Sequence, residues 1–113
     1  MDVEVRGRHD RVTERDRARL ERKLGRLSRF DDRIDRIDVE VTFESRGRIG
    51  GGHRVEASAR SGRKVYRASA NGSDVEAAAD RLVDRLERQI VEGHRRRRPR
   101  PSGGPEGVES ALT

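Results

Sequence analysis

The spacing of apolar residues changes along this chain from a helical period to a strand period and back again. In residues 20–27, leucines recur at the i, i+4 and i+7 positions of one helix face. In residues 37–43, apolar and polar side chains alternate, as in a strand with one buried face. The helical spacing returns in residues 75–90. We therefore predict an α+β fold in which two amphipathic helices flank a run of strands.

Six elements are predicted from these periods and from the turn residues between them. They are a strand at 2–6, a helix from about 13 to 29, strands at 37–43, 54–60 and 66–70, and a helix from 73 to 92. Three consecutive strands with short connections predict an antiparallel meander with one apolar face. Two helices on that face give a two-layer sandwich of order β-α-β-β-β-α with a four-stranded sheet. The sequence leaves the pairing of the first strand open.

Several residues carry the signals that start and end helices. Thr13 is the predicted N-cap of the first helix. Gly25 lies inside that helix, so we expect either close packing or a weak point there. Ser73 and Glu76 form a predicted capping box for the last helix, and Gly93 is its predicted stop.

The last twenty residues differ in composition from the rest. We predict a folded domain over residues 1–93 and a basic, Pro/Gly-rich disordered tail or linker over residues 94–113. The arginine run at 95–98 either extends the last helix by a turn or remains a free cationic arm. The tail also supplies half of the net charge of +6, because residues 1–93 hold 22 basic and 19 acidic groups, a net of +3.

Composition excludes several classes of function. The 113 residues include no cysteine, and the three histidines, His9, His53 and His94, have no metal-ligand spacing. There is no apolar run long enough to span a membrane and no signal-peptide pattern. We expect a soluble, cytoplasmic protein with no metal, no cofactor, no small-molecule substrate and no membrane partner.

Charge is sorted by sign around both helices. The first helix carries its basic residues on one flank, with Glu14 and Glu21 opposite, and the last helix places its acids on the flank away from its arginines. The basic flank of the first helix consists of Arg15, Arg19, Arg22 and Arg26, with Lys23 between it and the core seam, and that of the last helix consists of Arg81, Arg85 and Arg88. Interleaved signs would gain i,i+4 pairing, so sorting suggests that positive charge is presented to a partner such as a phosphate backbone. The alternative is two solvated faces in an arginine-rich protein.

Other features of the sequence predict structure rather than chemistry. The glycine-rich segment 45–52 lacks the Gly-Lys-Ser/Thr ending of a phosphate-binding loop, so we interpret it as a hairpin loop. The aspartates between 31 and 38 are interpreted as turn formers. Phe30, Phe43 and Tyr66 fall at expected core positions, which makes recognition of bases by stacking improbable and favours recognition of shape and phosphate. No arrangement of residues points to catalysis.

Several stretches resemble the ribosome hibernation promoting factors, also called ribosome-associated inhibitors or light-repressed proteins. The clearest is DVEAAADRLVDRLERQI at residues 74–90, which resembles their last helix. Residues 68–70, 13–27 and 30–34 resemble the same family in order and spacing. The resemblance covers about residues 1–95.

That resemblance implies a β-α-β-β-β-α protein that silences idle ribosomes during stress without being an enzyme. It implies binding to the small ribosomal subunit, in the channel used by mRNA and by the A-site and P-site tRNAs. By position, the matching rRNA contacts are Lys23, Arg26, Arg85 and Arg88, together with Arg96. The full predicted rRNA-binding set adds the other sorted residues, namely Arg15, Arg19, Arg22, Arg81 and Arg95.

The sequence departs from the family pattern in two places. Asp16 and Arg17 stand where relatives often have apolar residues, so we expect looser docking of the first helix. Glu92 lies on the cationic flank where relatives often have lysine. The tail is consistent with a short factor or a truncated long one, and we expect a monomer off the ribosome.

Two other functions stay open from the residues alone. One is a general double-stranded RNA-binding module of similar architecture with no preference for ribosomes. The other is a protein-interaction adaptor that uses the acidic flanks and the polar sheet face.

Overall fold

The structure, a computed structural model, has the predicted order of elements. It describes residues 1–8, 12–43 and 52–97, with the backbone alone for residues 95–97. The elements are β1 (Asp2–Arg8), α1 (Glu14–Gly25), a 3₁₀ segment (Arg26–Arg29), β2 (Ile34–Phe43), β3 (His53–Ser61), β4 (Lys64–Gly72) and α2 (Val75–Arg97). The predicted glycine-rich loop and most of the predicted tail lie outside the described residues.

The four strands form one sheet in the order β1-β2-β3-β4. Strands β2, β3 and β4 pair antiparallel as the predicted meander, and β1 pairs parallel with β2, with Val5 opposite Val39. Helix α1 is therefore the crossover that parallel strands require. Each observed strand exceeds its predicted span at one or both ends, because ladder pairing continues into polar residues that break the apolar alternation.

Both helices cover the same face of the sheet, which confirms the predicted two-layer sandwich. Helix α1 lies against β1, α2 lies against β3 and β4, and the two helices contact each other. The leucines of both helices and the valines and isoleucines of the central strands are buried between the layers. Ala57, Ala59 and Ala70 are also buried there, so the small residues of β3 and β4 lie at the face that α2 covers.

Helix α1 is docked by polar contacts as well as by its leucines. The Thr13 hydroxyl accepts a hydrogen bond from the backbone N–H of Asp16 at 3.0 Å, so the predicted N-cap is confirmed. The Arg17 guanidinium donates to the carbonyl of Val5 at 2.7 Å. Arg17 therefore links α1 to β1 at the position where the sequence predicts looser docking. Around Gly25 nothing lies within 4 Å of an added Cβ, and the α-helix gives way there to the 3₁₀ segment.

The first turn of α2 is capped one residue later than predicted. The Asp74 carboxylate accepts from the backbone N–H of Ala77 at 2.7 Å, and the Asp74 carbonyl accepts from the N–H of Ala78. The predicted capping box at Ser73 is therefore wrong. Asp and Ser are about equally good N-caps, so the local pattern alone does not choose between adjacent candidates.

The sequence predicts that α2 ends at Gly93, but Gly93 lies inside the helix. The helix continues to Arg97, so the first part of the arginine run extends the helix. Gly93 is buried, and an added Cβ would lie 2.9 Å from Lys64 Nζ and 3.4 Å from the Tyr66 ring. This glycine allows the helix to approach β4 closely.

Two of the three aromatic residues are exposed, which corrects the prediction that all three lie in the core. Tyr66 is buried at 2% exposure, but Phe30 is 38% and Phe43 is 41% exposed. Phe30 follows the 3₁₀ segment, whose buried residue is Leu27. Phe43 is the last residue of β2, where its ring lies 4.8 Å from that of His53. The sequence argument against base stacking assumed that these rings are buried, so it does not apply to Phe30 and Phe43.

A buried aspartate joins distant parts of the chain beneath the end of α2. The Asp31 carboxylate accepts from the Ser61 hydroxyl at 2.6 Å, from the Tyr66 hydroxyl at 3.3 Å and from the backbone N–H of Arg33 at 2.9 Å. His94 Nε2 lies 3.4 Å from it. Burial raises the pKa of Asp31, but these hydrogen bonds and the charge of His94 outweigh it and lower the pKa. The predicted turn role is confirmed for Asp31 by the bond to Arg33, and its other partners come from β3, β4 and α2. For Asp35 and Asp38 the turn role is wrong, because both lie within β2.

We expect Asp31→Asn to destabilise the protein by about 1–3 kcal/mol at pH 7, because it removes charge-assisted hydrogen bonds from a buried site. Since folding lowers the pKa of Asp31 below its usual 3.8, the carboxylate stabilises the fold above that pH. The stabilisation is lost as the pH falls through the folded-state value. Urea unfolding at pH 7 and near pH 3 should show the deficit shrinking in acid. Asp32→Asn, at an exposed site, is the control. An equal deficit at both pH values would contradict this account.

Two glycines should respond in opposite ways to alanine. At Gly72 an added Cβ would lie 2.4 Å from the backbone N of Ala78, so we expect Gly72→Ala to cost about 1–3 kcal/mol through overpacking. At Gly25 there is space, so Gly25→Ala should stabilise by about 0.4–1 kcal/mol. Thermal unfolding followed by circular dichroism measures both, and a stabilising Gly72→Ala would show that the backbone contact is not as tight as described.

Candidate nucleic-acid interface

The basic flank of α1 faces the acidic flank of α2. The Arg19 guanidinium lies 3.1 Å from the Glu76 carboxylate, and the Lys23 ammonium donates to the carboxylate of Asp80. Segregated charge on each helix is therefore partly compensated by its neighbour. This revises the sequence interpretation, in which sorting pointed only outward to a partner.

The basic flank of α2 faces away from α1 and lies along the free edge of β4. The Arg81 guanidinium donates to the carbonyl of Asn71 at 2.6 Å, and that of Arg85 donates to the carbonyl of Ser69. One helical turn further, the Gln89 amide donates to the carbonyl of Arg67 at 2.5 Å. These three side chains, here called the edge ladder, follow the i, i+4, i+8 spacing of α2 and the two-residue period of β4. The guanidinium groups of Arg81 and Arg85 are thus each already hydrogen-bonded to a carbonyl of β4.

Four of the predicted residues present uncompensated charge. They are Arg15, Arg22, Arg26 and Arg88, and all four are exposed. Within the part of the chain that the structure describes, none of them has a hydrogen bond or an ion pair. The first three lie on α1 and the 3₁₀ segment, and Arg88 lies on α2. Arg95 and Arg96 belong to α2, but their side chains lie outside the described structure and stay predictions.

The region also contains residues that the sequence pattern did not select. Lys64, at the start of β4, lines a cleft of about 320 Å³ together with Arg88 and Glu92. Glu92 therefore lies beside two cations. On the other side of α2, Arg29 and Phe30 line a groove between the helices. Lys64 lies on a strand, so no helical period links it to the sorted residues. Arg29 is three residues after Arg26 and seven after Arg22, so the helical period of the first helix could have selected it.

Most cations on the opposite face of the sheet are paired, although among the described residues Arg6 and Arg67 have no ion pair there. Arg36 contacts Glu4 at 2.7 Å and Asp38 at 2.9 Å, and Arg60 contacts Asp35 at 3.1 Å. The guanidinium of Arg60 lowers the pKa of Asp35. Compensated charge attracts a polyanion weakly, so the helix side is the better candidate for binding phosphates.

The described residues, 1–8, 12–43 and 52–97, contain no group of three or more side chains suited to hold a metal ion. In the same ranges, no helix is both long enough and apolar enough to cross a membrane.

The sequence matches the family described as Sigma 54 modulation protein / S30EA ribosomal protein over residues 3–98. A ribosome hibernation promoting factor from Azotobacter vinelandii is 34% identical over 104 residues, covering 91% of this chain and 92% of the relative. The chain belongs to the family of the ribosome hibernation promoting factors. A member from Escherichia coli K12 is 30% identical over 91 residues, covering 80% of this chain and 90% of the relative.

Family members differ in length. A ribosome hibernation promotion factor from Deinococcus radiodurans is 33% identical over 110 residues, but the match covers only 58% of that relative and 91% of this chain. This member therefore spans little more than half the length of that one.

Solved structures share the fold of this family member. A ribosomal subunit interface protein from Coxiella burnetii superposes with a TM-score of 0.74 at 21% identity, covering 84% of this chain and 99% of the other. The N-terminal domain of Protein Y from Thermus thermophilus superposes with a TM-score of 0.66 at 28% identity, covering 81% and 94%. Both superpositions show that the two-layer fold is shared with these proteins.

Exchanging the charges of Lys23 and Asp80 should test the contact between the helices. We expect Lys23→Glu and Asp80→Lys each to destabilise, because each places like charges together, and the double variant to recover part of the loss. Urea unfolding of all four proteins should give a coupling of about 0.2–1 kcal/mol, decreasing with salt. The cycle of Arg22→Glu with Asp80→Lys is the control and should show weaker coupling. If the effects of the two substitutions are additive, the ion pair between Lys23 and Asp80 does not couple α1 to α2.

Proposed function

We propose that this protein is a ribosome hibernation factor that binds the small ribosomal subunit through the helix side of the domain and blocks translation sterically. In this proposal it acts in the cytoplasm as a monomer and catalyses no reaction. The mRNA path and the A and P tRNA sites are the spaces it would occupy. Family membership across nearly all described residues, together with relatives named as hibernation promoting factors, carries the proposal.

The charge distribution supports rRNA phosphate as the ligand. Arg15, Arg22, Arg26 and Arg88 are exposed without internal partners among the described residues, and an arginine fork fits phosphate oxygens in bidentate geometry. Binding them to phosphates releases counterions and breaks no internal contact. These four arginines are therefore the proposed primary contacts.

The remaining predicted contacts have a different cost. Arg19 and Lys23 already pair with carboxylates of α2, and Arg81 and Arg85 already donate to β4. To bind a phosphate, each must share or leave its present partner, so its net contribution is smaller. We assign them a supporting role, in which they hold the helices in position and add long-range positive potential.

Inhibition follows from occupancy under this proposal. A rigid two-layer domain held by several phosphates excludes tRNA and mRNA from the same volume without chemical change. The general RNA-duplex module is the alternative, and competition separates the two. Small subunits should displace the protein from an arbitrary duplex at far lower concentration than the reverse, because only the assembled subunit offers a complementary channel.

We expect Arg26→Glu with Arg88→Glu to weaken co-sedimentation with small ribosomal subunits by more than about tenfold at physiological salt, because both phosphate contacts become repulsive. With four primary contacts, the slope of log K against log salt should be about −3 to −4 for the wild type, and the variant should lose about 2 from its magnitude.

The matched control is Arg6→Glu with Arg67→Glu, which makes the same change in net charge on the exposed opposite face of the sheet. Circular dichroism should show all variants folded. If the control weakens binding as much as Arg26→Glu with Arg88→Glu, net charge rather than the helix side determines affinity. If neither does so, the proposed face is wrong.

A further inference from the structure

The groove between the helices combines an exposed aromatic ring with charges of both signs. It has a volume of about 410 Å³ and opens beside the end of α1. Phe30 lies in it, 38% exposed, with Val83 as the apolar neighbour from α2. Arg26 and Arg29 line one side, and Asp84 and Glu87 line the other.

The exposed ring of Phe30 costs free energy, and a ligand that covered the ring would recover it. A phenylalanine in water gains by covering its ring, and an unpaired base is a flat partner of suitable size. Arg26 and Arg29, both exposed, are placed to hold the phosphates that accompany such a base. Phosphates, however, do not explain why carboxylates line the same groove.

The carboxylates of Asp84 and Glu87 fit the edge of a base. Carboxylates accept hydrogen bonds from exocyclic amino groups, such as N4 of cytosine, and they repel carbonyl oxygens. In the described residues neither carboxylate has an ion pair or a hydrogen-bond donor of its own. A groove with arginines from the end of α1 and the 3₁₀ segment, an exposed ring, and carboxylates from α2 matches a nucleotide in charge order.

We propose that this groove binds one unpaired RNA nucleotide, with its base stacked on Phe30, its phosphate held by Arg26 and Arg29, and its amino group facing Asp84 and Glu87. The proposal rests on the proposed function and deepens it. It adds a base-reading element to a surface that otherwise contacts only phosphates. A protein side chain in the groove is the competing occupant, and the test excludes or reveals it.

The test uses the absence of tryptophan from this chain. In Phe30→Trp the new ring is the sole tryptophan, and a stacked base should quench its fluorescence. Phe43→Trp is the matched control, because Phe43 is equally exposed but is not among the residues that line the groove. We expect small ribosomal subunits to quench the probe at position 30 and to leave the probe at position 43 unchanged.

Affinity and base preference complete the test. Phe30→Ala should bind small subunits about 5- to 150-fold more weakly, Phe30→Leu nearly as weakly, and Phe30→Trp like the wild type. In Phe30→Trp, hexacytidine should quench more strongly than hexauridine, since the two differ by an amino group and a carbonyl at C4. Asp84→Asn with Glu87→Gln should remove that preference.

The outcomes separate this proposal from the one it rests on. If Phe30→Ala binds like the wild type while Arg26→Glu with Arg88→Glu does not, the protein binds rRNA phosphates but the groove holds no base. If subunits treated to remove ribosomal proteins no longer quench the probe at position 30 although they still bind the protein, a protein side chain occupies the groove and the proposal fails. Equal quenching by the two hexanucleotides would overturn the role of the carboxylates.

Discussion

The rotation of α2 about its own axis is the constraint on which the other features depend. Its apolar stripe must face β3 and β4, where the alanines allow a close approach. With that stripe fixed, the acidic flank can only face α1 and the basic flank can only face the edge of β4. The same helix thus pairs with Lys23 on one side and with the Ser69 carbonyl on the other. A rotation by one residue, about 100°, would break all of these contacts together.

Compensation between the helices decides which cations remain available. A count of basic residues treats Arg19 and Arg22 alike, since both lie on the basic flank of α1. The structure separates them, because Arg19 reaches a carboxylate of α2 and Arg22 points to solvent. The electrostatic surface of the domain is therefore set by the residual charge after internal pairing. This residual positive charge is smaller than the sequence suggests and is concentrated on fewer side chains.

The sequence predicts what depends on short-range periodicity and misses what depends on distant partners. The strand alternation and both apolar stripes were sufficient for the element order and the two layers, because each reports which face is buried. The sequence wrongly predicts a helix stop at Gly93 because the actual role of this glycine is set by Tyr66, 27 positions earlier in the chain. Asp31 was recognised as a turn residue, but its burial depends on Ser61 and Tyr66. Phe30 is aromatic, as core residues often are, but its position after the 3₁₀ segment leaves it exposed.

The edge ladder also affects how this domain associates with other protein molecules. β4 is the last strand of an open sheet, and its outward carbonyls are the acceptors that a strand from another molecule needs in order to add to the sheet. Arg81, Arg85 and Gln89 already donate to three of them, and two of those donors also bring positive charge to the rim. An incoming strand must break these bonds and approach a charged row. The ladder therefore opposes the addition of a second sheet at the β4 edge.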